Sequence, residues 1–522
     1  MENEKFYITT AIDYVNGLPH IGHAYEKIAT DVISRHFKQR GKDVFFLTGS
    51  DEHGIKIQKT AQEAGISPKE HCDITSSEFK KAWAKACIDY DRYIRTTDAD
   101  HEKVVQWAFE KLLAKGDIYK SSYTGLYCAG CEAFLSPREL DENGCCPIHQ
   151  KKPQEVQEEN FFFKLSKYKE AIAEHIKNNP NFILPQTRAN EILNQLKDIE
   201  DISVSRSKSS VEWSIDVPSS PEQGVYVWID ALSNYITGVG VLEDKEKFEK
   251  YWPCDVHVIG KDILKFHAIY WIAFLMALDI ELPKSIFAHG WITIDETKMS
   301  KSLGNVISID TLMQNFELTD PDAIRYFLMT TAAFGKDGNY SDEEFKSKVN
   351  ADLANNLGNL LNRTLSMLLK YFDGNVSKSG NDYMDKELFD LCQTTIADVE
   401  RKFDYYELTE AIEKVIYLVD ATNKYVNDKA PWSLAKTDLA ECEKVLYSVL
   451  EVMKYTSVLL FPVIPNIAQK IFAQLGFDGD IKDIKLKDLV NLNIKEGQIA
   501  TKETISPVFL RLDSEIAKDK KK

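Results

Sequence analysis

The chain has 522 residues, and 64 basic against 81 acidic side chains give a net charge of −17. At roughly 100–200 residues per domain this length exceeds one compact core and predicts about three to four units; 44% hydrophobic and 28% charged residues exclude global disorder. A generally basic coat for nucleic acid is excluded as well, although a local positive groove needs only part of the surface.

The acidic start Met1-Glu2-Asn3-Glu4-Lys5 leads into a strand and does not read as a secretory signal. No apolar run reaches the roughly 18 residues that a membrane span requires. Nine cysteines, four of them within Cys128–Cys146, fit a reducing cytoplasm and one metal site better than a disulfide framework. Phe6–Thr10 is predicted as a strand, Asp13–Pro19 as a loop and Gly22–Lys38 as a helix, with Ile28, Val32, Ile33 and Phe37 near helical spacing. Val44–Thr48 is a second, fully apolar strand. This opening is a βαβ unit, which implies a parallel sheet with ligands at the carboxyl ends of its strands. The character changes over Ile118–Val225, which holds the cysteine cluster, a polar segment and a polar helix after Leu165. Strand-like sequence returns at Tyr226–Ile229, where Trp228 reads as core on an apolar strand. It continues through His257–Gly260, an apolar helix at Ile269–Leu278 and Ile286–His289. Residues 118–225 therefore read as an insertion between the halves 1–117 and 226–343 of one sheet domain. From about Glu344 no strand signal is convincing. Leu353, Leu357, Leu360, Leu361, Leu365 and Leu368 mark one apolar helix face, and similar periodicity recurs to Phe461, so 344–522 is predicted as an α-helical bundle ending in a solvated basic tail, Lys518–Lys522.

Two motifs carry chemistry. Pro19-His20-Ile21-Gly22-His23 lies where the first loop meets a helix N-terminus, a place that favours anions because free N–H groups point outward. His20 and His23, three apart, are placed on one helical face, able to donate to a phosphate; ordinary capping histidines are the alternative. Lys298-Met299-Ser300-Lys301-Ser302 is a small loop suited to gripping pyrophosphate charge, or simply a solvated loop. Both motifs sit at sheet edges.

Together they resemble the HIGH and KMSKS signatures of the class I aminoacyl-tRNA synthetases. Within the class, the chain resembles the methionyl-tRNA synthetases over essentially its whole length. The narrower match rests on Ala11–Gly17, Gly49-Ser50-Asp51-Glu52-His53-Gly54, Val227-Trp228-Ile229-Asp230-Ala231, Gly260-Lys261-Asp262-Ile263, Phe266-His267, Phe287-Ala288-His289-Gly290 and Lys429-Ala430-Pro431-Trp432. The resemblance implies a Rossmann-like α/β catalytic domain split by a zinc-knuckle insertion and followed by an all-α anticodon-binding bundle. The implied activity is ATP-dependent ligation of L-methionine to tRNA(Met), the initiator included, through methionyl-adenylate. By the same resemblance, Asp51 holds the α-ammonium. The backbone N–H of Ile12, beside Ala11, and the Tyr235 hydroxyl approach the sulfur. Tyr14, Trp228, Ala231, Ile263 and His267 line the pocket. Where the family often has Leu and Pro, this chain has Ile12 and Leu232. Gly22 and the backbone near Ile292 frame adenine, Asp262 meets the ribose with Gly260 allowing close approach, and His20, His23 and Lys301 contact the phosphates while Lys298 positions the loop. Glu26 is a magnesium or ribose contact, or else an exposed helix carboxylate. Asp230 reads as a structural hydrogen-bonding residue.

Cys128-x-x-Cys131 and Cys145-Cys146-Pro147-Ile148-His149 have zinc-knuckle spacing. Cys128, Cys131, Cys146 and His149 form the expected Cys₃His site for one structural Zn²⁺, with Cys145 the competing third ligand. In the bundle, resemblance assigns Asn359, Arg363, Pro431 and Trp432 to the anticodon, since RNA loops are read by stacking and base-edge hydrogen bonds. The rivals are another class I ligase and a non-catalytic tRNA-binding scaffold. The first is disfavoured by the short insertion, the second by both intact signatures. Further expectations are ATP with Mg²⁺, no membrane partner, a cytoplasmic location and a monomer, since about sixty residues beyond Phe461 are too few for an appended dimerising domain.

Overall fold

Five consecutive residues of the first strand, β1 (Lys5–Thr10), are buried from Phe6 onward, as a strand covered on both faces must be. It lies at the centre of the sheet. On one side it pairs with β3 (Asp43–Asp51), which also carries β2 (Asp13–Tyr14) and β4 (Arg92–Arg95). On the other it pairs with Val256–Gly260, followed by Ile286–His289 and Ile183–Leu184. All of these pairings are parallel and make a seven-stranded sheet. The two halves of the chain meet between β1 and Val256–Gly260, where strand order reverses and a crevice for ligands opens. The computed structural model describes residues 4–128, 133–135, 140–148, 150–295, 297–298 and 306–512.

Helix α1 (Ile21–Gln39) crosses one face of the sheet. Its buried Ile28, Val32, Ile33 and Phe37 belong to a core that continues into the bundle through Leu446, Val449 and Ile471. Arg325 locks this junction. It is fully buried, its Nη2 is 2.6 Å from Asp31 of α1, and it donates to the carbonyls of Val463 and Ala86. The bundle comprises Asn359–Phe372, Lys386–Asp404, Leu408–Lys429, Leu439–Leu460 and Pro465–Gln474, with Pro431–Thr437 between the third and fourth. A short antiparallel pairing of Asn375–Val376 with Gly497–Gln498 appears where no strand was expected; two-residue strands leave no periodicity to read.

Two further differences matter. The stretch read as an insertion opens with an antiparallel pair, Ile118–Cys128 on Gln154–Phe163. Its later part, however, returns to the catalytic sheet: Ile183–Leu184 is the edge strand, and Ile172, Ile176 and Phe163 share a core with Trp271 and Phe274. An amphipathic helix such as Lys169–Asn178 must bury its apolar stripe somewhere, and the sheet is the nearest cover. Trp228 lies on a helix, Val227–Thr237, and not on a strand. A short run of consecutive apolar residues does not distinguish a buried strand from a buried helix; here the run Tyr226–Ile229 leads into an eleven-residue helix that is buried on nearly every side, polar Asp230, Ser233 and Asn234 included.

Candidate active site

At the start of α1, His20 is the N-cap with extended backbone, outside the helix, so it does not share a helical face with His23 as expected. The two rings nevertheless meet, 3.8 Å between centroids. Each is used reciprocally: the Gly22 N–H donates to Nδ1 of His20 at 3.1 Å, and the His20 N–H donates to Nδ1 of His23 at 3.3 Å. An accepting Nδ1 carries no proton, so in each neutral ring the proton sits on Nε2. The capping box thus fixes both imidazoles as Nε2–H donors at a helix terminus that already favours anions.

The segments that flank the lysine motif are bonded on both sides. Ile292–Ile294 pairs with Thr297–Lys298, and beyond the loop the Ile307 carbonyl accepts the N–H of Ile21 at 2.9 Å. The near flank is thus held on the strand Ile292–Ile294, and the far flank is bonded to Ile21, which lies between the two histidines. Lys301 lies outside the described residues, as does the side chain of Lys298.

Of the residues expected around the amino acid, Asp51 ends β3 as a buried carboxylate in register with Tyr14. Tyr235 and His267 are both buried, and the Tyr235 hydroxyl is 2.7 Å from Nε2 of His267. Nδ1 of His267 lies 3.0 Å from the Ile263 carbonyl, to which it can only donate. Burial pushes the His267 pKa down to about 4, so the ring is neutral and Nε2 is its acceptor. Burial pushes the Tyr235 phenol well up. Tyr235 therefore spends its proton on His267. Trp228 stacks on Phe266 at 3.5 Å and 8°. Phe266 is thus in direct contact with Trp228, while the sequence assigns only its neighbour His267 to the pocket. Ala231 is buried, and Ile12, Ile263 and Trp228 are partly buried in the same core.

Of the residues expected around the nucleotide, Asp262 Oδ1 accepts the indole N–H of Trp291 at 3.2 Å. A Cβ on Gly260 would stand 2.8 Å from that oxygen, so glycine lets the carboxylate lie over the strand end. Ile292 is buried, and Lys261 pairs with Asp337 at 2.7 Å beneath Trp291.

Between the two sets lies a buried charge cluster. Lys27, 1% exposed, contacts Asp13 at 2.7 Å, Glu26 at 3.0 Å and the Ala11 carbonyl at 3.0 Å. Glu26 also meets Nε2 of His289 at 2.9 Å. Burial raises the Glu26 carboxyl, but Lys27 and His289 outweigh it and hold it below the usual range. Burial dominates at Asp13, which is pushed up to about 7 against the pull of Lys27. Glu26 is thus neither an exposed carboxylate nor aimed at solvent; it serves Lys27 and His289. Asp230 is buried between His53 and His101, 2.8 Å from each, which gives it the structural role expected.

Of the cysteine set, Cys128 and Cys146 are buried while Cys145 is only partly so. Cys131 and His149 lie outside the described residues. Asp141 caps the turn by accepting the N–H groups of Asn143 and Cys145, and the Cys146 N–H bonds Lys151. In the bundle, Asn359 is exposed, Pro431 is buried and Trp432 is 41% exposed. Arg363 Nη1 reaches Asn427 at 3.5 Å, while its covered Nε and Nη2 have no hydrogen-bond partner among the described residues.

Residues 6–157 and 137–365 match the family model for class I (M) tRNA synthetases, and residues 377–504 match that for the anticodon-binding domain of methionyl-tRNA ligase. A methionine–tRNA ligase of Caldanaerobacter subterraneus is 44% identical over 92% of this chain and 75% of its own length. One from Clostridium perfringens is 45% identical over 91% and 74%. Among solved structures, Mycobacterium tuberculosis methionyl-tRNA synthetase in complex with methionyl-adenylate superposes with a TM-score of 0.91 at 38% identity, covering 97% of this chain and all of that one.

Proposed function

Since the chain belongs to the class I methionyl-tRNA synthetases, we propose that its sheet seam is where methionine is activated with ATP and handed to tRNA. The enzyme is a methionine–tRNA ligase. Methionine carboxylate attacks the α-phosphate of ATP, which enters as its magnesium complex, and pyrophosphate leaves. The 2′-hydroxyl of the terminal adenosine of tRNA(Met), the initiator included, then attacks the adenylate and releases AMP.

Neither step needs a protein nucleophile. Orientation and charge stabilisation suffice. Asp51 binds the α-ammonium. Tyr14, Trp228, Ala231, Ile263 and His267 shape the side-chain pocket, with Ala11, Ile12 and Tyr235 at the sulfur end. Gly22 and Ile292 frame adenine and Asp262 holds the ribose, helped by Gly260. His20 and His23 donate from Nε2 to the phosphates, and Lys298 and Lys301 neutralise the leaving pyrophosphate. The observation that carries this assignment is the Ile21–Ile307 backbone bond, which joins the base of the histidine motif to the end of the lysine loop. Asn359, Arg363, Pro431 and Trp432 read the anticodon, supported by the outward Trp432 and by two nitrogens of Arg363 that have no hydrogen-bond partner among the described residues.

The thiols of Cys128 and Cys146, both buried, suit a soft cation; with Cys131 and His149 they would hold one zinc ion. Zinc would brace the knuckle, since four protein ligands leave no position for water. Among the described residues no helix is long and apolar enough to cross a membrane. We assign the enzyme to the cytoplasm as a monomer. The test is ATP–pyrophosphate exchange over a panel of amino acids, with zinc measured on the same sample. Exchange that requires methionine is expected; exchange driven as well by leucine, isoleucine or cysteine would overturn the substrate assignment.

A further inference from the structure

The buried cluster at Lys27 lies under the loop that ends β1. The Ala11 carbonyl accepts two hydrogen bonds, from Nζ of Lys27 at 3.0 Å and from the Thr10 hydroxyl at 2.8 Å. Asp13, two residues further, takes the same ammonium at 2.7 Å, and Glu26 holds it from the neighbouring position on α1. A single lysine, almost wholly removed from water, therefore grips both sides of Ile12.

Peptide planarity turns this grip into an orientation. The Ala11 C=O and the Ile12 N–H belong to one trans peptide and point in opposite directions. A carbonyl drawn onto Lys27 obliges the Ile12 N–H to face away from the cluster. A cation on the carbonyl oxygen also polarises the amide and strengthens its N–H as a donor. Strength matters, because a thioether sulfur is a weak acceptor. The second candidate donor at the sulfur end has already been committed: the Tyr235 proton goes to His267.

We propose that Lys27 is a positioning residue for sulfur recognition, aiming and polarising the Ile12 N–H as the donor that separates methionine from a sulfur-free side chain of the same shape. The inference rests on the methionine-pocket assignment above and adds to it a residue on the far side of the loop, itself only 1% exposed. Glu26 extends the same cluster to His289, whose Nδ1 lies 2.7 Å from the Gly290 carbonyl at the nucleotide side.

The test compares methionine with norleucine, in which a methylene replaces sulfur, by ATP–pyrophosphate exchange on the full chain. In Lys27→Met the ratio of kcat/KM for methionine over norleucine should fall about three- to tenfold, the scale of one modest hydrogen bond. A merely structural loss would lower both substrates alike; an equal loss, or an unchanged ratio, overturns the proposal. Should that variant not fold, Asp13→Asn keeps an acceptor for the ammonium and removes the charge. It should shift the ratio in the same direction by a smaller factor, and an unchanged ratio there also overturns the proposal. Asp51→Asn separates the two levels. If it leaves the methionine KM unaltered, the pocket assignment falls and this proposal with it. If it raises that KM while Lys27→Met keeps its full preference for methionine, only the role of Lys27 falls.

Discussion

The sheet seam and the bundle surface treat polar side chains in opposite ways. At the seam, Lys27 is divided among three acceptors, Tyr235 is bonded to His267, and Asp230 is held by two imidazoles. On the bundle, Asn359 and Trp432 are exposed, and two covered nitrogens of Arg363 have no hydrogen-bond partner among the described residues. A small substrate whose bonds are made and broken gains most from groups fixed beforehand, because orientation then costs nothing at the moment of reaction. A macromolecule supplies its own partners, and bases that unstack on arrival need open aromatic faces and unspent donors.

The sharpest way to break this contrast is at His20. His20→Ala removes the proposed phosphate donor and the cap of α1 together, and should lower methionine-dependent exchange by about 10²-fold or more. The cap alone is worth about 0.5–2 kcal/mol of stability, so His20→Asn, which still caps, should recover the unfolding midpoint while recovering little of the exchange rate. Restored exchange in His20→Asn would mean that the imidazole only builds the helix end.

A change at Trp432 should do the reverse. Stacking one base on an aromatic ring is worth about 1–3 kcal/mol, so Trp432→Ala should lower kcat/KM for tRNA charging about tenfold and leave exchange untouched. Trp432→Phe should recover much of the loss. Parallel loss of charging and exchange would make the residue part of the core, which its 41% exposure argues against.

What could be read in the sequence follows the same division. β1, α1 and β3 were legible because burial on both faces writes an uninterrupted apolar signal in the strands and a 3.6-residue stripe in the helix. The histidine and lysine motifs were legible as a pair and through the family resemblance, since each alone also reads as capping histidines or a solvated loop. Trp228 was placed on the wrong element since helix and strand look alike when all sides are buried. Ile183–Leu184 escaped because a two-residue strand has no period. Lys27 escaped for a different reason: a lysine in a helix ordinarily reads as a solvated position, and only the fold brings Asp13, Glu26 and the Ala11 carbonyl together on it. His23 was matched to its motif, yet the tautomer imposed by capping depends on backbone geometry that spacing does not give.

The smallest effect expected concerns protonation at the seam. In the folded chain His267 has its pKa near 4, against about 6.5 in an unfolded one. Its folded state is neutral, and above pH 6.5 it has no proton to exclude. As the pH falls from 6.5 toward 4, the unfolded chain binds a proton that the folded chain refuses, so stability is lost on the acid side. At pH 5.5 this amounts to about 1 kcal/mol relative to pH 7.5. Urea unfolding of the parent chain and of His267→Gln at both values measures it by difference, because the remaining titrating groups are common to both. The parent should lose about 1 kcal/mol more than the variant. An equal loss would mean that His267 accepts its proton without cost in the fold. The neutral acceptor to which Tyr235 donates would then not be enforced, and the contrast between a fixed seam and an open bundle would weaken at its best-defined hydrogen bond.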